Sequence, residues 1–227
     1  MRILFVAADP MEFRGLLKRA GDVRPASVAV DFARLARVGV HEALLVANGA
    51  GWRRAAGAVD AAKAFAAEAI VSTGFCGALD EGLAVADIVA GTEVVGDGKT
   101  RPCTIVEARH TGAVASIDHV AQTAAEKRIL RATGAQVVEM EAAGVAERAQ
   151  NSGIAFYCIR VVTDLAGETM ENDFNRALRA DGHFDTMNIL RGALCRPTVR
   201  LPELLRLRSR CVRAAHALGD FIVGCRL

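Results

Sequence analysis

Val137-Val138-Glu139-Met140-Glu141-Ala142-Ala143 is the stretch that decides the fold of this chain. Two β-branched apolar residues run into Glu-Met-Glu and then into an alanine-rich segment. This is the pattern of a strand whose carboxyl end opens directly onto a helix. Twenty-three residues beyond Glu141, the apolar run Ile159-Arg160-Val161-Val162-Thr163 ends in a further carboxylate, Asp164. Open α/β sheets bind small molecules outside the carboxyl ends of their strands. Acidic side chains at two such ends therefore mark a candidate site.

Outward from this segment, apolar runs alternate with amphipathic ones. Residues 1–8 read as a first strand rather than a signal peptide, because the apolar run is short and ends in Asp9-Pro10. Val28-Ala29-Val30-Asp31-Phe32 alternates with period two, and residues 42–47 form a second short apolar run. Residues 69–73 read as a buried strand cut off by Gly74; residues 87–90, 112–116, 136–140 and 154–163 complete the strand pattern. Residues 52–68, 122–132 and 142–150 have helical spacing. This alternation predicts one domain over residues 1–227, a three-layer α/β/α fold around a mixed, mostly parallel sheet. No repeat or linker divides it.

Composition narrows the function class. With 227 residues, 52% of them hydrophobic, and a mean hydropathy of +0.25, the chain has ample material for a core and does not match a disordered composition. Its apolar runs are far shorter than the roughly 18 residues of a membrane span. A net charge of +2 gives no ground for a nucleic-acid partner. The six cysteines form no C-x-x-C pair and, like His41, His110, His183 and His216, show no metal-ligand spacing. The expectation is a cytoplasmic protein without metal or cofactor.

Residues 196–227 contain seven arginines against Glu203 and Asp220. A helix over about 202–226 would gather Leu204, Leu205, Val212, Ala215, Leu218 and Ile222 on one side and Arg206, Arg210 and Arg213 on the other. Such a helix packs on the sheet with a solvated basic face, or meets an anionic membrane surface or lipid-like substrate.

Four pieces of sequence together resemble the nucleoside phosphorylase and nucleosidase superfamily, whose members cut the bond between a base and a ribose. They are Met1-Arg2-Ile3-Leu4-Phe5-Val6-Ala7-Ala8-Asp9-Pro10-Met11-Glu12-Phe13, Ser72-Thr73-Gly74-Phe75-Cys76-Gly77-Ala78-Leu79, Glu139-Met140-Glu141 and Thr163-Asp164. The core motifs are most similar to the 5′-methylthioadenosine/S-adenosylhomocysteine nucleosidases. Thr123-Ala124-Ala125-Glu126-Lys127-Arg128 and the arginine-rich ending resemble the hopanoid-associated branch that removes adenine from adenosylhopane.

The resemblance implies roles residue by residue. Glu12 would activate the attacking water, with Asp9 as rival; the alternative is that Glu12 only favours a helix amino terminus. Glu141 would accept hydrogen bonds from the ribose hydroxyls, with Met140 against the sugar and Glu139 beside it. Asp164, supported by Thr163, would protonate the purine at N7, or merely cap a helix. Phe75, Cys76 and Gly77 would line the nucleoside site, and His119 would close over the base or sit on the surface. In phosphorolytic relatives an arginine and a serine hold phosphate where this chain has Ser72 and Phe75, unless Arg53 or Arg54 compensates. The resemblance thus implies a hydrolase releasing adenine from a small purine nucleoside, and a homodimer. A phosphate-dependent phosphorylase and a non-catalytic nucleoside-binding protein are the alternatives.

Overall fold

Residues 3 to 7 are all buried, as in a strand covered on both faces. In the computed structural model, which describes residues 1–225, their side chains divide by parity. Leu4 and Val6 enter one core, and Ile3, Phe5 and Ala7 the other. The strands are β1 (Arg2–Ala7), β2 (Gly21–Pro25), β3 (Phe32–Val38), β4 (His41–Ala47), β5 (Ala69–Ala78), β6 (Ile88–Gly96), β7 (Lys99–Pro102), β8 (His110–Ser116), β9 (Val137–Glu139) and β10 (Ala155–Asp164). The helices are α1 (Arg14–Leu17), α2 (Trp52–Ala61), α3 (Ala124–Arg131), α4 (Ala142–Ser152), α5 (Phe174–Ala177), α6 (Thr186–Leu194) and α7 (Pro197–Gly224).

The strands make one mixed sheet in the order β10-β6-β8-β9-β5-β1-β4-β3-β2, with β7 on β6. Because β10 also pairs with β5, strands β5, β10, β6, β8 and β9 close on themselves. The β1–β4, β1–β5, β5–β10, β6–β8 and β8–β9 pairings are parallel. Helices α2 and α4 cover one face, and α1 with the second half of α7 covers the other. Both helix pairs touch through backbone. A Cβ on Gly144 would collide with the Trp52 carbonyl, and one on Gly15 with that of Ala215. The α/β/α expectation is met.

Several boundaries differ from the sequence pattern. Val28 and Val30 pack on the core from a turn closed by Val30 N–H donating to the Val28 carbonyl (2.9 Å), so the strand starts only at Phe32. Strand β5 does not stop at Gly74. Gly74, at φ 143°, carries the strand on to Ala78 in a backbone conformation that a side chain would oppose. The helix expected over 52–68 ends at Ala61, and a 3₁₀ turn (Lys63–Phe65) follows, closed by left-handed Ala66. The last helix starts at Pro197, a favourable first position, and absorbs Pro202 internally. The expected end of that helix at residue 226 lies outside the described residues. Among the described residues, no helix is long and apolar enough to cross a membrane.

Candidate active site

The carboxyl ends of β1, β5, β9 and β10 converge on one cavity of about 350 Å³, within the range of small-molecule sites. After β1, Asp9 is exposed and caps the 3₁₀ turn Pro10–Phe13, its Oδ1 accepting from Met11 N–H at 2.7 Å. Glu12 completes the capping box in the other direction. Its Oε2 accepts from the amides of Ala8 (2.8 Å) and Asp9 (2.9 Å), and Oε1 from Phe75 N–H (2.6 Å). The capping role and a buried carboxylate thus coexist in Glu12, while Asp9 is exposed at the edge of the cavity. Burial raises the Glu12 carboxyl above its ordinary value, partly offset by these amides and by Arg160.

Arg160, in the middle of β10, is fully buried and is the hub of the polar end. Its Nη2 lies 2.5 Å from Glu139 Oε2 and donates to Ser72 Oγ (2.5 Å), and its Nη1 is 3.8 Å from Glu141 Oε2. Nε and Nη1 have no hydrogen-bond partner among the described residues. A Cβ on Gly74 would overlap Glu12 Oε1 and approach this Nη1 to 3.1 Å, so Glu12 and Arg160 meet over a bare stretch of backbone. Glu139 also caps α4, accepting from the amides of Glu141 (2.9 Å) and Ala142 (2.9 Å). Its carboxylate is therefore committed to protein partners, although the residue lines the cavity. Glu141 is freer, with Oε1 accepting from Gly51 N–H (3.0 Å). Burial first, and then the neighbouring Glu139, push it strongly upward. Three carboxylates surround one guanidinium, so this end carries no surplus positive charge.

At the end of β10, Thr163 Oγ1 donates to Asp164 Oδ1 (3.1 Å) or to the Cys76 carbonyl (3.2 Å). Asp164 is buried, and burial raises its carboxyl while Lys127 and Thr163 lower it. Lys127 Nζ, completely buried, contacts Asp164 Oδ2 and donates to the Leu165 carbonyl (2.8 Å).

The cavity wall includes every site residue expected from sequence: Glu12, Phe75, Cys76, Gly77, His119, Glu139, Met140, Glu141, Thr163 and Asp164. His119 lies at the rim with both ring nitrogens on carboxylates, Nδ1 on Asp118 (2.7 Å) and Nε2 on Glu126 (2.5 Å), which favour its charged form. The proposed phosphate substitutes lie elsewhere. Ser72 is taken by Arg160, Arg53 stacks on Trp52, Arg54 binds Asn48 and Asp31, and none of the three lines the cavity. Sequence reasoning missed Arg160 and Lys127 as site residues. A charged residue inside the apolar run 154–163 was the available signal for Arg160. The remaining wall, with Met170, Phe174, Phe184, Ile189 and Leu207, is apolar.

A family model described as "Phosphorylase superfamily" matches residues 2–118 and 108–182. Comparison with curated proteins gives no match. Among solved structures, the chain is similar to a 5′-methylthioadenosine/S-adenosylhomocysteine nucleosidase from S. pneumoniae bound to a transition-state inhibitor. The two share 20% identity and a TM-score of 0.72, with 98% of each chain covered. The corresponding nucleosidase of Helicobacter pylori gives 15% identity and a TM-score of 0.73 over 97% of this chain and 95% of that one. That of Streptococcus pyogenes gives 22% and 0.67 over 92% and 96%. At these identities the likeness is one of fold.

Proposed function

The chain belongs to the phosphorylase superfamily, and on that premise we propose that it hydrolyses the N-glycosidic bond of an adenine-type purine nucleoside carrying a hydrophobic 5′ substituent. Asp164, kept protonatable by burial, gives its proton to N7 and lets the base leave neutral. Glu141 accepts from the ribose hydroxyls, with Met140 against the sugar. In its ionised form this carboxylate beside the ring favours the cationic sugar of the transition state. Glu12 takes the proton of the attacking water, and the unpartnered Nη1 of Arg160 holds the oxygen of that water. Thr163 orients Asp164; Phe75, Cys76 and Gly77 form the floor, and His119 closes over the base.

One observation carries the choice of water over phosphate. Among the described residues the one guanidinium at the polar end already faces Glu12, Glu139 and Glu141, which leaves no free cation there for a phosphate dianion. The test is adenine release from methylthioadenosine, adenosylhomocysteine and adenosine in phosphate-free buffer. Release without phosphate is expected. Release only with phosphate, or saturable binding without release, would refute the proposal.

The apolar wall formed by Met170, Phe174, Phe184, Ile189 and Leu207 supports a large 5′ group, adenosylhopane being the substrate we favour over methylthioadenosine. Turnover should then rise as the 5′ group is lengthened with apolar carbon. The proposal extends to a cytoplasmic homodimer, as the family resemblance implies, and to contact with an anionic membrane. Met187, Leu190 and Leu194 form an exposed stripe on α6, and Arg191, Arg196, Arg206 and Arg208 are exposed around it and along α7. Sedimentation with phosphatidylglycerol vesicles but not with phosphatidylcholine vesicles is the expected result.

A further inference from the structure

Lys127 is the one buried residue of α3, a helix that otherwise presents Glu126, Arg128 and Arg131 outward. Its stem crosses the protein interior to place Nζ on Asp164 Oδ2 and on the Leu165 carbonyl, with no exposed surface left. A buried ion pair is a poor anchor, since apolar side chains of similar size commonly stabilise as well or better. The position of this amine, on the carboxyl that meets the base, calls for another explanation.

Asp164 has few other charged neighbours. Glu168 lies in the following turn, its carboxylate held by Arg210 from α7 at 2.7 and 2.9 Å. The Cys76 thiol of β5 and the Cys211 thiol of α7 are near, both pushed upward by burial, and Glu12 stands elsewhere on the cavity wall. On the far side, Arg206 borders a small adjoining cavity, and Glu203 there accepts from the amides of Glu171 and Asn172. Among the described residues Lys127 is the only cation in direct contact with Asp164. The oxygen it touches, Oδ2, also lies over Gly77, where an added Cβ would come within 2.8 Å. The absence of a side chain at Gly77 is what leaves room for that oxygen on the cavity wall.

We propose that Lys127 is a positioning residue that supplies, along its hydrogen bond to Oδ2, the proton that Asp164 passes to N7 of the leaving purine. The acid of the site is then the Lys127–Asp164 pair. This rests on the assignment of Asp164 as the group that protonates the base. In the resting pair the proton sits on Nζ and the carboxylate is ionised. When the nucleoside fills the cavity and excludes water, an N–H bond at Nζ breaks and an O–H bond forms at Oδ2, leaving two neutral groups. That O–H bond breaks as N7–H forms, and the electron pair of the C1′–N9 bond passes into the purine. Water then bonds to C1′ and loses its proton to Glu12. After product release, Glu12 returns that proton to solvent and Lys127 takes one back, so the net reaction consumes one water and no proton.

The experiment is the pH profile of kcat/KM for adenine release by the wild-type protein and by Lys127→Met and Lys127→Arg, with urea unfolding to confirm the fold. The proton comes through Nζ, so the wild-type alkaline limb should lie on the alkaline side of the range of a lone carboxylic acid. In Lys127→Met, Asp164 must supply its own proton, and the limb should move at least one unit towards acid, with tenfold or greater loss at pH 8. Lys127→Arg keeps the charge but carries a guanidinium that does not surrender a proton. It should lose turnover to a similar degree. Wild-type behaviour in Lys127→Arg, an alkaline limb that stays put or moves upward in Lys127→Met, or a wild-type limb in the carboxylate range would each overturn the proposal. Wild-type turnover in Asp164→Asn would instead defeat the assignment of Asp164 itself.

Discussion

Replacing Arg160 by Met would test whether the buried charges at the polar end act as one unit. The guanidinium sits 2.5 Å from Glu139 and 3.8 Å from Glu141, with Glu12 also within its field, and none of these groups reaches solvent appreciably. At 3.8 Å and an effective dielectric of ~20, the Arg160–Glu141 attraction alone is about 4 kcal/mol. Its loss would make Glu141 roughly a thousandfold easier to protonate. Removing one member of a buried ion pair typically costs about 3–5 kcal/mol, out of a total stability of roughly 5–15 kcal/mol. Urea unfolding followed by the fluorescence of Trp52, the single tryptophan, reads this directly. Arg160→Met should lose about 3 kcal/mol or more. Adding Glu139→Gln should restore at least half of that stability, because the orphaned charge disappears while the α4 cap can persist. Activity should stay low in both variants, since neither retains the donor facing Glu12. A loss under about 1 kcal/mol in the single variant, or recovery of activity in the double one, would refute the coupling.

Three further outcomes are expected. Asp164→Asn should lower kcat for adenine release by roughly 10²–10⁴-fold, with nucleoside binding by calorimetry largely kept; unchanged kcat would remove Asp164 from the mechanism. Gly74→Ala should depress both stability and turnover, because the new methyl meets Glu12 and Arg160 at φ 143°; a variant of wild-type stability and rate would show that the strand relaxes freely. Burial, then Glu139, push Glu141 from 4.5 up to about 8. A carboxyl raised on folding stabilises below its unfolded value, and that stability is lost as pH climbs through the folded one. Glu141→Gln should therefore flatten the decline in unfolding free energy between about pH 4.5 and 8, and an unchanged slope would contradict the shift.

The sequence displayed Glu139, Glu141 and Asp164 plainly, because a switch from strand to helix spacing is a local pattern and carboxylates at that switch stand out. The resemblance assigned the ribose to Glu141, but what occupies Glu139 was not legible. Glu139 turns to cap α4 because Arg160, arriving on a separate strand, claims its other side. Lys127 was hidden for a similar reason. In Glu126-Lys127-Arg128 it looks like part of a solvated helix face, and only the meeting of its amine with Asp164 and the Leu165 carbonyl, distant in sequence, shows it to be buried. Gly74 looked like a stop, yet its backbone freedom is what lets β5 continue beneath Glu12. The strand at Val28 failed because alternation records which side chains face a core, and a turn can present them as well as a ladder can.

The nature of the sugar product tests the proposed chemistry most directly. Turnover of methylthioadenosine or an adenosine with a longer apolar 5′ group, run in saturating phosphate and analysed by mass spectrometry, should yield adenine and a free reducing sugar in equal amounts. A sugar 1-phosphate as the main product would mean that Arg160 accommodates a phosphate despite its three carboxylate neighbours, and that water is not the nucleophile.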